Sequence, residues 1–106
     1  MLDTTALITA VDRFADRLRA APQSRLQRGA AAEALAAARE LSLRAQRFEA
    51  PGREPRTMPD VGIFAVGDQI AVAGRDLAVA LETAPSAELD EAVRFVEGAA
   101  ARAFAY

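Results

Sequence analysis

Residues 63–83 form three consecutive heptads, each with five apolar or small residues followed by two polar ones. The polar pairs are Asp68/Gln69, Arg75/Asp76 and Glu82/Thr83. A seven-residue period keeps those pairs in one narrow stripe along a helix and leaves its other faces apolar. In a lone bundle a helix shows an apolar stripe near three positions in seven; this segment shows five. The excess predicts a helix covered on several sides, the central member of a bundle or the seam of a helical homodimer. Ile63, Phe64, Val66, Ile70, Val72, Leu77, Val79 and Leu81 are the candidate core and self-association residues. A β-hairpin turning at Gly67-Asp68 is the competing reading. Alanine is depleted in strands, and the pattern runs on past the supposed hairpin into Leu77–Leu81.

Three further helices and one loop complete an expected all-α, four-helix up-down bundle in a single domain. The first helix is expected at about 5–21, where Leu7, Val11, Phe14 and Leu18 make one stripe. Asp3 or Thr4 is placed to cap it, and Pro22 closes it. The second is expected at about 25–49, opened by the capping box Ser24-Arg25-Leu26-Gln27. Its buried face is read as Leu26, Ala30, Ala34, Ala37, Leu41, Ala45 and Phe48. The small residues from Gly29 to Ala38 would let a neighbouring helix come close. Residues 50–60 contain three prolines and read as a stiff loop, with Met58 tucked onto the core. The third helix is expected at about 60–83 with Asp60 as its cap. The fourth is expected at about 86–104 with Ser86 as its cap and Leu89, Val93, Val96, Ala100 and Phe104 as its apolar face.

Composition narrows the chemistry. The chain has no His, Cys or Lys, and all 13 basic residues are Arg. The usual general base, thiol nucleophile and Schiff-base amine are therefore missing. Asp, Glu and Tyr106 are the remaining acids and bases, and no imidazole can activate Ser24, Ser42 or Ser86. Transition-metal sites draw on His or Cys, and no acidic loop has calcium-binding spacing. No glycine-rich phosphate cradle is present. The expectation is a non-enzymatic protein without metal or cofactor. The Ala/Arg-rich bias fits a GC-rich bacterial genome. No leader-like start or membrane-length apolar run is visible, so a cytoplasmic location is expected.

The charge is sorted along the chain. Residues 13–56 hold ten Arg against five acids, a net of +5; residues 57–106 hold three Arg against eight acids, a net of −5. Such sorting fits two halves that fold against each other. The alternative is an Arg-rich surface of the second helix and the 50–60 loop that binds nucleic acid or an acidic partner. Arg28, Arg39, Arg53, Arg56 and Met58 are its candidate contacts. Between these readings, a self-associating helical interaction module, pairing with itself or another helical protein, is the expectation that the heptads favour.

Overall fold

In the computed structural model, which describes residues 1–105, four helices pack around one core: α1 (Thr5–Ala20), α2 (Ala31–Glu49), α3 (Val66–Leu81) and α4 (Ser86–Ala103). Tyr106 lies outside the described residues. The predicted stripe of α1 is buried as read, with Leu7, Val11, Phe14 and Leu18 joined by Ala15. On α2 the buried face is Ala34, Ala37, Leu41 and Ala45 as expected, together with Ala31 and Ala38, while Phe48 turns out to be exposed. No polar or charged residue is buried among those described.

Helix α3 lies between α1 and α2 and makes the most extensive packing with both, while α4 closes the ring against α1 and α2. Ion pairs fix the directions. Arg19 meets Asp68 at 2.8 Å and Arg75 meets Asp12 at 3.0 Å, so α1 and α3 run antiparallel. Arg44 meets Glu91, and Arg102 meets Glu33 at 2.7 Å, so α2 and α4 are antiparallel too. Arg19–Asp68 and Arg44–Glu91 join an Arg of the basic first half to an acid of the later half, as the sorted charges suggested, whereas Arg75–Asp12 and Arg102–Glu33 run the other way. Apart from half-buried Arg44 they are largely exposed, and such exposed pairs contribute only ~0–1 kcal/mol each. The connection after α2 runs back along that helix, so α3 starts beside the start of α2, near Leu26 and Ala31. Along the chain, direction therefore alternates except between α2 and α3, which run parallel; α1 and α4, neighbours across the ring, are parallel too.

Helix starts depart from the sequence reading. None of the four has a side-chain N-cap bond. Ser86 is the first helical residue, and Pro85 occupies the cap position with extended backbone. The Ser24 box does not form; Pro22 precedes a single helical turn at Gln23–Arg25 and a wide turn at Leu26–Ala30. Gly29 breaks that wide turn with φ 143, a conformation disfavoured for residues with a Cβ. At α1, Asp3 Oδ1 accepts from the Thr5 amide at 3.0 Å and from its hydroxyl at 2.6 Å. Those bonds hold the Asp3 carboxyl below its ordinary 3.8. Asp60 does not cap α3. Its carboxylate accepts from the Gly62 amide at 3.0 Å, and Gly62 turns with φ 104, so the helix begins six residues later than expected.

The main correction concerns coverage of α3. It buries Val66, Gly67, Ile70, Ala73, Gly74, Leu77, Ala78 and Leu81, half of its 16 residues. The opposite face, with Asp68, Val72, Arg75, Asp76 and Val79, is exposed. The helix is thus the hub of the bundle without being enclosed by it. Its glycines explain its position. A Cβ on Gly74 would lie 2.5 Å from both Val11 methyls, and one on Gly67 would lie 2.9 Å from Arg19 Cγ and 3.1 Å from the Ala15 carbonyl oxygen. Gly98 of α4 has only an ordinary 3.4 Å neighbour.

Alanine normally favours a helix over glycine by about 1 kcal/mol. Gly98→Ala should therefore stabilise the protein by about 0.5–1 kcal/mol. Gly74→Ala should instead destabilise it by about 1–3 kcal/mol, because α1 must be pushed away. Urea unfolding of the two variants checks the opposite signs.

Candidate interaction surface

The eight candidate seam residues divide by position. Val66, Ile70, Leu77 and Leu81 are core, and Ile63 packs half-buried at its edge. Val72 is 57% exposed, Val79 64% and Phe64 72%; Val61, which the sequence reading passed over, is 61% exposed. Val72 and Val79 are seven residues apart and so stand one above the other on α3. Both point away from the bundle, between Asp68 and Arg75 on the side of α1 and Asp76 on the other. Phe64 and Val61 lie in the turn that leads into the same helix. Single exposed apolar residues are ordinary, whereas several along one helix face mark a surface for contact.

The arginine candidates are not gathered into a comparable surface. Arg28 lines a cleft with Arg25, Glu33 and Arg102 near the start of α2. Arg53 and Arg56 line another near its end, with Gln46, Glu49 and Glu54. Arg39, between them, donates from Nε to the Met58 carbonyl at 2.8 Å. Met58 itself is half-buried against the core, as expected. Each basic cleft thus carries carboxylates, which would repel a polyanion. Arg44 sits between Glu40 and Glu91. Burial works against its charge, but the bonds to both carboxylates outweigh that and raise its pKa.

The 50–60 loop is strapped down. Gln46 donates to the Arg56 carbonyl at 2.8 Å and accepts from the Arg56 amide at 2.8 Å. Gln69 donates to the Pro59 carbonyl at 2.8 Å, while its own Oε1 is buried without a partner. With Arg39 on Met58, three side chains from two helices satisfy backbone that the prolines keep out of regular structure. The loop is fixed scaffolding that carries the chain back to where α3 starts.

A more apolar cleft of about 500 Å³ lies between the parallel helices α1 and α4, with Ala10, Phe14, Val93 and Ala100 in its lining. Arg13, Arg17 and Glu97 stand on the same cleft, and Arg17 lies 4.0 Å over the Phe104 ring. Ala34 and Gly67, two of the smallest residues of α2 and α3, are both buried. Among the described residues no helix is long and apolar enough to cross a membrane, and no three acidic side chains come together as a metal site would need.

Compared with known protein families, characterised proteins and solved structures, the chain matches none.

Gln46→Leu keeps the side-chain bulk and removes both bonds to Arg56. It should cost about 0.5–1.5 kcal/mol. Trypsin should then cut after Arg53 and Arg56 several-fold faster than in the parent protein, a rate read by mass spectrometry.

Proposed function

We propose that the protein is a non-enzymatic helical interaction module that associates with a second copy of itself through the outer face of α3. The observation that carries this reading is the exposure of Val72 and Val79, aligned on the face directed away from the core. Leu, Ile and Phe residues fill the interior of the same bundle, so these valines are not needed to fold it. The non-enzymatic part rests on the inventory of side chains, which lacks His, Cys and Lys. Binding of an acidic partner through Arg53 and Arg56 has less support, because Glu49 and Glu54 line the same cleft.

Substitution on this face separates association from folding, since exposed positions contribute little to stability, usually within about 0.5 kcal/mol. The parent chain should sediment as a dimer at micromolar concentration. Val72→Glu and Val79→Glu should each shift it to monomer and leave the helical circular dichroism unchanged. A parent chain that sediments as a monomer removes self-association from the proposal.

A further inference from the structure

The exposed face of α3 matches itself when reversed. Phe64 lies eight residues before Val72, and Val79 lies seven after it. Asp68 and Arg75 lie four before and three after, both on the flank toward α1, where each already bonds an α1 side chain. We infer that two copies pair α3 against α3 in antiparallel fashion, with the two-fold axis at Val72. This rests on the self-association proposed above and adds its orientation and register.

In that arrangement Val72 meets Val72 of the second copy, and each Val79 meets the Phe64 turn of the other. In an antiparallel pair with two-fold symmetry, the same flank of each helix comes together. Asp68 of one copy then lies beside Arg75 of the other, and the reverse contact repeats the pair.

Both groups have capacity left for it. Arg19 uses only Oδ1 of Asp68, leaving Oδ2. Asp12 engages only Nη2 of Arg75, leaving Nε and Nη1. Both side chains stay open to solvent, at 77% for Asp68 and 57% for Arg75. Antiparallel packing also sets the two helix dipoles head to tail. Val72 and Val79 each gain an apolar partner, Asp68 and Arg75 each gain an opposite charge, and Asp76 stays on the other flank.

The chain has no cysteine, so one introduced thiol is unique. A residue on the two-fold axis can bridge to its own copy, because only there do equivalent Cα atoms come within disulfide range of about 4.4–6.8 Å. Under mild oxidation, Val72→Cys should form a covalent dimer with loss of the monomer band, and Val79→Cys should not. Mixed chains carrying Phe64→Cys and Val79→Cys should form the hetero-disulfide in preference to either homodimer. Val79→Cys self-linking as fast as Val72→Cys would overturn the antiparallel register. If the parent chain sediments as a dimer but Val72→Cys does not link, this pairing falls while self-association stands. If the parent chain is a monomer, both fall.

Discussion

The close approach of α1 to α3 at Gly67 and Gly74 sets the rest of the arrangement. Two glycines seven residues apart remove two side chains from one edge of α3, and α1 settles there with Val11, Ala15 and Arg19 against bare backbone. Any side chain at Gly74 would occupy the volume of the Val11 methyls, so the contact also fixes how α3 is rotated. With its glycine edge toward α1, the adjoining Ile70, Ala73, Leu77 and Leu81 turn inward, to be covered by α2 and the interior. Two neighbours on adjacent sides cannot reach the far side. The exposure of Val72 and Val79 is thus the geometric counterpart of the glycine contact.

The antiparallel and parallel contacts of the bundle are held differently. Each antiparallel pair carries two ion pairs near opposite ends: α1 with α3, and α2 with α4. The parallel pairs have none among the described residues; α1 and α4 meet instead through the edge contact of Phe14 with Phe104 and through Arg17 over the Phe104 ring. Parallel packing of α2 and α3 needs a connection that returns the length of a helix. The 50–65 segment provides it, with Arg39, Gln46 and Gln69 bonding its carbonyls. Prolines remove amide donors from the segment, so its remaining backbone groups can be met by side chains without competition from a ladder.

Much of this was legible in the sequence, and the failures have physical causes. The stripes of α1 and α2 follow helical spacing because the core selects them. On α3 the same count misled, since hydropathy does not distinguish a valine facing the core from one facing water. The signal that could have resolved it was Gly67 and Gly74: glycine inside a helix marks a close approach, and the side opposite that approach is the one most easily left open. The cap assignments failed because Pro22 and Pro85 already place the backbone in the extended conformation before each helix. Asp60 satisfied a turn at Gly62 instead of a helix end, and both uses of an aspartate look alike in sequence. The return path of the loop was not legible at all, because it depends on three polar side chains whose backbone partners lie 10 to 19 residues away and follow no periodic spacing.

Helix propensity gives an independent reason to treat the outer face of α3 as a contact surface. Valine at an exposed helical position is less favourable than alanine by roughly half a kcal/mol, through loss of χ1 freedom. This chain uses alanine freely, including at exposed Ala6, Ala20, Ala32 and Ala36. On the outer face of α3 it carries valine at both apolar positions, against the propensity and with no packing inside the bundle to offset the cost. Stiff, branched side chains lose little further entropy when a second surface covers them. The same property that makes Val72 and Val79 poor choices for a solvated helix makes them suitable for one that meets another helix.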